Sequence, residues 1–175
     1  MESKESEYKS NNDFKDFKDF KDNKDYKGND DDIDIDEYNE RNDKPPKIEI
    51  TKIKIKPNEI VDISAPLDLN ISFELDRDVV AAYWIIRFLV DSSENRIIKI
   101  LGETPVEDYP DGDSDMNFHI DKIDVSGIPP STLTNSGLLM AIFCVDGEEV
   151  ATVNMVVNVF KRDGQIVREI LSPME

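Results

Sequence analysis

The chain has 175 residues, of which 39 are acidic and 21 basic, so its formal net charge is −18. An anion of this strength repels nucleic acid and anionic membrane surfaces, and it attracts basic proteins or cations. We therefore expect a basic protein as partner, and neither a direct nucleic-acid partner nor a membrane partner.

Residues 1–46 predict a disordered, low-complexity acidic tail. They hold 16 acidic and 9 basic residues, and the run DFKDFKDFKDNKDYK repeats an Asp, an aromatic residue or Asn, and a Lys. A period of three matches neither helix nor strand, and the segment has too little apolar surface to offset the entropy of ordering. The tail is either a solvated extension or an arm with aromatic binding contacts, namely Phe14, Phe17, Phe20 and Tyr26.

From residue 47 onward the chain predicts short strands separated by turns. KIEITKIKIK changes phase, which indicates a bulge near Thr51 and Lys52, and LDLNISFEL alternates without a break. VVAAYWIIRFLV, RIIKIL and MNFHIDKI predict further strands, and GQIVREIL predicts an edge strand or a helical turn. With Trp84 on a central strand, residues 47–175 predict one all-β domain. Its expected fold is an immunoglobulin-like antiparallel β-sandwich of about seven to nine strands.

The stretch GLLMAIFCVDGEEVATVNMVVNVF predicts a hairpin that turns at Asp146 and Gly147. Its first arm is apolar at every position, whereas a strand with one wet face alternates. Something must therefore cover the second face of this arm. In the second arm, the row of Ala151, Val153, Met155, Val157 and Val159 is predicted to point inward.

We assign Trp84, Ile86 and Phe88 to the inward face of the preceding long strand. Placing the three strands side by side then predicts an exposed apolar patch of Leu89, Leu139, Ala141, Phe143 and Val156. Such a patch in a highly charged domain is typical of a partner site, unless the C-terminal segment or the loop 102–115 covers it. In this assignment Leu139→Arg leaves the domain folded, while Met140→Arg unfolds it.

The order of motifs along residues 47–160 resembles the histone chaperone family of anti-silencing factor 1. The motifs are ISFE, YWII, VDSSE, PDG, NFHID, IPPS, GLLMAIFCVDGEEV and VVN. The resemblance implies an immunoglobulin-like sandwich whose concave sheet face grips a helix of histone three. It also implies core histones, as the histone three/four heterodimer, as the partner in chromatin assembly.

The resemblance extends to individual partner-binding positions. Leu89 or Val90, together with Leu139, keep the apolar character of the histone-contacting positions. Thr152 stands where the family has an arginine that pairs with the histone. Asp91 and Glu94 are the acidic residues nearest to the family's partner carboxylate.

No catalytic residue is predicted. His119 alternates with Asn117 and Asp121 on the polar face of its strand, which predicts a surface histidine. Cys144 is assigned to the inward phase, where a buried thiol is inert. As the single cysteine it also fits a reducing compartment, so we expect the nucleus, the cytoplasm or both. The sequence has no basic-then-apolar leader and no apolar run near 18 residues, which predicts neither secretion nor a membrane span.

No metal site or cofactor is predicted either. The run DGDSD, residues 111–115, has the carboxylates of a calcium loop, but Met116 and Lys122 stand where that loop requires Gly and Glu. The sequence therefore predicts a monomeric, non-enzymatic, acidic protein-binding module resembling a histone chaperone. Two alternatives stay open: a sandwich adaptor with a non-histone partner, cytoskeletal or ciliary, and a lipid-binding sandwich with a pocket between its sheets.

Overall fold

The computed structural model describes residues 44–91 and 96–174, with the backbone alone for Asp91. Most of the predicted tail, residues 1–43, thus lies outside the described residues. The elements in chain order are β1 (Ile48–Lys56), β2 (Val61–Asp62), β3 (Leu67–Leu75), β4 (Val79–Asp91), β5 (Arg96–Glu103), β6 (Glu107–Tyr109), β7 (Gly112–Ile120), α1 (Pro130–Leu133), β8 (Ser136–Val145), β9 (Glu148–Arg162) and β10 (Gln165–Leu171).

The strands form two antiparallel sheets. One sheet has three strands in the order β1-β3-β7. The other has seven, in the order β2-β10-β9-β8-β4-β5, and β6 also pairs with β4. The predicted all-β, immunoglobulin-like sandwich is confirmed. The count of ten described strands exceeds seven to nine because β2 and β6, of two and three residues, have no alternating pattern that a sequence could reveal.

The space between the two sheets is filled by side chains. The predicted inward residues of β3 are at most 2% exposed: Leu67, Leu69, Ile71, Phe73 and Leu75. Four aromatic rings meet at one end of this core, with centroids between 5.1 and 5.9 Å apart: Phe73, Trp84, Tyr109 and Phe143. Offset and tilted ring pairs at these distances add packing energy to simple burial.

Two Asp-Gly turns and one bulge set the local geometry. Asp146 and Gly147 both have positive φ, at +50° and +84°, as the predicted hairpin between β8 and β9 requires. A second Asp-Gly turn, at 163–164, joins β9 to β10 in the same way, so GQIVREIL is a strand. The predicted bulge in β1 is also confirmed, since the pairing with β3 shifts between Ile50 and Lys52.

The predicted orientation of β8 is wrong. Directly paired residues of antiparallel strands share a face of the sheet. The three supposedly outward residues each pair with a core residue of β4: Phe143 with Trp84, Ala141 with Ile86 and Leu139 with Phe88. All three are at most 1% exposed and belong to the main core. Conversely, Met140 and Cys144, which were assigned inward, lie on the outer face.

A single bulge explains this reversal. Next to the turn, Cys144 pairs with Glu149, as in a regular two-residue hairpin. Beyond it Val150 is passed over and Phe143 pairs with Ala151, so every later pair is displaced by one residue. Because side chains alternate with a period of two, a one-residue displacement turns all of β8 to the other face. The faces of β9 are unaffected, and its predicted inward row is confirmed.

Among the described residues, Arg168 is the only charged residue that is buried, at 1% exposure. Its guanidinium donates hydrogen bonds to the carbonyl oxygens of Asp62 (3.0 Å), Ile63 (2.7 Å) and Pro66 (2.8 Å). Burial lowers the pKa of Arg168, and the nearby carboxylate of Asp62 opposes that shift. The arginine thereby fixes the segment between β2 and β3 against the end of the core.

We expect Arg168→Met to lower the free energy of unfolding by about 2–4 kcal/mol, because three buried or part-buried carbonyl groups lose a charged donor. Urea denaturation measures the loss, and Arg162→Met, at an exposed position of β9, is the matched control. A loss below about 1 kcal/mol would show that the 62–66 segment is held by other contacts.

Deleting residues 1–43 should leave the sandwich folded. The deleted segment has no periodic apolar face to contribute to the core, and the retained Lys44 carbonyl still accepts a bond from Arg77. Thermal unfolding of the truncated and full-length chains should agree within a few degrees. A larger drop in Tm would show that the tail is part of the folded domain.

Candidate functional site

The outer face of the seven-stranded sheet carries an apolar row that crosses five strands. Successive pairings join its members side by side: Leu171 of β10, Val156 of β9, Leu138 of β8, Leu89 of β4 and Ile98 of β5. Paired positions place the five side chains on one face. We call this set the outer row.

The outer row is partly open to solvent. Ile98 is 54% exposed at one end, and Leu171 and Val156 are 43% and 42% exposed at the other, while Leu138 is half-buried and Leu89 is buried. Ile100, next to Ile98 on the same face of β5, is 63% exposed. Exposed apolar side chains aligned across strands are unusual in a protein this charged, and they are typical of a contact surface.

Next to the outer row, the same face of the larger sheet holds a second, smaller cluster of buried residues. It consists of Ile85, Ile142 and Cys144, with Tyr83 and Met140 packed against them. This cluster explains why β8 is apolar at every position. One set of its side chains enters the core between the sheets, and the other set builds an apolar layer on the outside.

The described chain does not fold over the outer row. The segment 102–115, proposed as a cover, instead contributes to β5, β6 and β7, and β6 extends the sheet by pairing with β4. The C-terminal segment forms β10, which pairs edge to edge with β9. Both segments therefore extend the sheets, and the two ends of the outer row remain exposed.

The predicted partner-binding residues separate into three groups. Leu89, Thr152 and Val156 point outward as predicted, and the first and last belong to the outer row. The predicted exposure of Leu89 is wrong, since it is 2% exposed. Val90, the alternative to Leu89, faces the core at 3% exposure. Leu139, Ala141 and Phe143 are core residues, as described above. Glu94 and the side chain of Asp91 lie outside the described residues. A role of the outward residues in partner binding stays a prediction.

Four apolar residues on the outer face of the larger sheet were not predicted from the sequence: Ile98, Ile100, Leu138 and Leu171. RIIKIL gives no clear signal, because Arg96 shares the phase of Ile98 and Ile100 while Lys99 shares the phase of the other apolar residues. A charged residue in each phase does not identify the solvent face of the strand. Leu138 was missed because the bulge in the hairpin reversed its face.

Charged side chains surround the outer row. Arg87, which pairs with Ile100 and Met140, forms an ion pair with Glu149 at 2.8 Å. Arg96 precedes Ile98 by two residues on the same face. Glu103 lies on the outer face of β5, at one edge of the sheet, and Glu169 lies on the outer face of β10, near the other edge. The surface thus combines an apolar centre with charges of both signs at its margin.

The side chains capable of nucleophilic or acid-base chemistry lie apart from one another. Cys144 is buried on the outer face of the larger sheet, and burial raises the pKa of its thiol. His119 lies on β7 of the smaller sheet, and its ring nitrogens contact Asp68 (2.6 Å) and Asp121 (2.9 Å). These two hydrogen bonds, the one to Asp121 first, raise the pKa of His119. The predicted surface position of His119 is confirmed.

A groove of about 420 Å³ opens at the edge where β1 meets β10. Apolar and polar side chains line it together, among them Ile53, Ile55, Lys54, Lys56, Glu169 and Met174. In the part of the chain that the structure describes, no group of three or more His, Cys, Asp or Glu residues is arranged to hold a metal ion. Across those same residues, no helix has the length and apolarity needed to cross a membrane.

Comparison with known protein families and with curated proteins finds no match for this chain.

Proposed function

We propose that this protein is a non-enzymatic, acidic protein-binding module that acts as a histone chaperone, with the histone three/four heterodimer as its partner. The observation that carries the proposal is the outer row, an apolar surface across five strands that is exposed at both ends, on the outer face of the larger sheet. An amphipathic helix of a partner buries its own apolar stripe on such a surface.

Charge favours a basic partner. Residues 47–175 hold 23 acidic and 12 basic residues, so the part of the chain that forms the sandwich is itself strongly acidic. Histones are basic, and complementary charge accelerates their encounter with an acidic surface. The acidic residues at the margin of the sheet, such as Glu103 and Glu169, are placed to meet basic side chains flanking a docked helix.

The filled core argues against the lipid-binding alternative. A lipid pocket requires empty space between the sheets, whereas here the interior is occupied by side chains that are almost fully buried. The aromatic cluster of Phe73, Trp84, Tyr109 and Phe143 fills one end of that interior. A filled core beneath an apolar outer face favours binding of a protein.

Histone binding should be fast at low salt and should weaken as salt rises, because screening reduces the attraction between the acidic sandwich and the basic partner. Stopped-flow or surface-binding rates at about 50 mM and 300 mM salt test this, and the association rate should fall by about tenfold or more. An association rate that does not change with salt would contradict the electrostatic part of the proposal.

A further inference from the structure

The two ends of the outer row face solvent in the described part of the molecule, and the same chain supplies a candidate to occupy it. Forty-three residues precede Lys44. The described chain enters at Lys44–Pro46, which line a groove together with Val145, Asp146 and Glu148–Val150 at the β8–β9 turn. The preceding segment is therefore attached at one end of the sheet whose outer face carries the row.

That segment contains an apolar group suited to the row. Its Asp-Phe-Lys repeat presents Phe14, Phe17 and Phe20 at intervals of three, each next to an Asp. Phenyl rings bury a large area against aliphatic side chains. Each ring has an Asp on one side and a Lys on the other, so the repeat carries charges of both signs, as does the margin of the outer row.

We infer that the Asp-Phe-Lys repeat of residues 13–21 binds the outer row of its own molecule and competes there with the protein partner. The competition rests on the proposed function, since it treats the same row as the partner's surface. The contact itself does not depend on the identity of that partner.

The connecting segment is long enough for this contact. Twenty-three residues separate Phe20 from Lys44, and a chain of that length spans at most roughly 80 Å when fully extended. Leu138 lies seven residues along β8 from Val145 beside the point of attachment, which is about 23 Å at the usual rise of a strand. The connecting segment is therefore longer than it needs to be to reach Leu138.

The repeat should bind weakly and reversibly. A spacing of three matches neither the alternation of a strand nor the turn of a helix, so its rings contact the row singly and exchange with one another. Tethering partly compensates for that weakness, because a group on the same chain meets the row at a higher effective concentration than a separate molecule does. A contact of this kind reduces the free fraction of the row without blocking a partner that binds more tightly.

The test uses the full chain with methyl-labelled Ile, Leu and Val. The triple variant Phe14→Ser, Phe17→Ser, Phe20→Ser removes the rings, and the matched control Phe14→Tyr, Phe17→Tyr, Phe20→Tyr keeps them. We expect the methyl signals of Ile98, Ile100, Val156 and Leu171 to move in the serine variant and to stay near wild type in the tyrosine control. Val80 and Val106, 61% and 63% exposed and outside the row, should not move in either variant.

The second readout is affinity for the histone three/four heterodimer. Apparent affinity scales with the fraction of molecules whose binding surface is free, so the serine variant should bind at least about threefold more tightly than wild type. Equal affinity of both chains would overturn the competition. Unchanged methyl signals at the row, or signals whose position depends on protein concentration, would overturn the intramolecular contact. Moved signals without any histone binding would support the contact and refute the proposed function.

Discussion

Leu139→Arg should unfold the domain, whereas Leu138→Arg, one residue earlier on the same strand, should leave it folded. Leu139 is 1% exposed and belongs to the core between the sheets, where it pairs with Phe88 and Met155. An arginine there buries an unpaired charge, which costs several kcal/mol, a large part of the stability of an ordinary domain. At Leu138 the arginine stem lies along the outer face and its charged end reaches water.

Thermal and urea unfolding of the two variants test this directly. We expect Leu139→Arg to lose the cooperative transition or to be destabilised by about 5 kcal/mol or more, and Leu138→Arg by about 1 kcal/mol. The pair is closely matched because both replace a leucine in β8 by the same residue. If Leu138→Arg were the more damaging change, the orientation of β8 described here would be wrong.

The sequence predicts the fold well wherever alternation is clean. β3 alternates over nine residues, and its predicted inward residues are buried without exception. The bulge in β1 and the Asp146-Gly147 turn were also predictable, because each depends on residues close together in the chain. Alternation, bulges and tight turns depend on short stretches of the chain, so the sequence of each stretch predicts them.

The orientation of β8 could not be predicted in the same way. Its ten residues carry no alternation, so the prediction depended on the register of the hairpin. A regular two-residue hairpin would have placed Met140 opposite Val153, but the bulge at Val150 places Ala141 there. The sequence GEEVAT, residues 147–152, contains no signal that predicts this bulge. It is fixed by tertiary packing, in particular by Phe143 entering the aromatic cluster beside Trp84.

The candidate surface was predicted in position but only partly in composition. An apolar outer face on the sheet containing β4, β8 and β9 was expected, and it is present. Leu89 and Val156 were assigned to it correctly. Ile98 and Leu171 were not, although each pairs with the neighbouring strand in the chain, Ile98 with Leu89 and Leu171 with Val156. RIIKIL carries a charged residue in each of its two phases, and GQIVREIL was predicted as either an edge strand or a helical turn, so neither pattern assigned a face.

Ile98→Arg should remove histone binding without unfolding the protein. At 54% exposure the new charge remains solvated in the free chain, but a docked helix would bury it without a partner. That penalty is several kcal/mol, so the affinity should fall by about 30-fold or more. Val80→Arg is the matched control, since Val80 is 61% exposed on β4 but lies outside the outer row.

The most direct test of the outer row as a protein-binding surface is calorimetric titration of the histone three/four heterodimer into these chains. We expect wild type and Val80→Arg to bind with dissociation constants within twofold of each other, while Ile98→Arg, with an unchanged unfolding curve, loses about 30-fold or more. Wild-type affinity in a folded Ile98→Arg chain, or no binding by the wild type, would contradict the proposal.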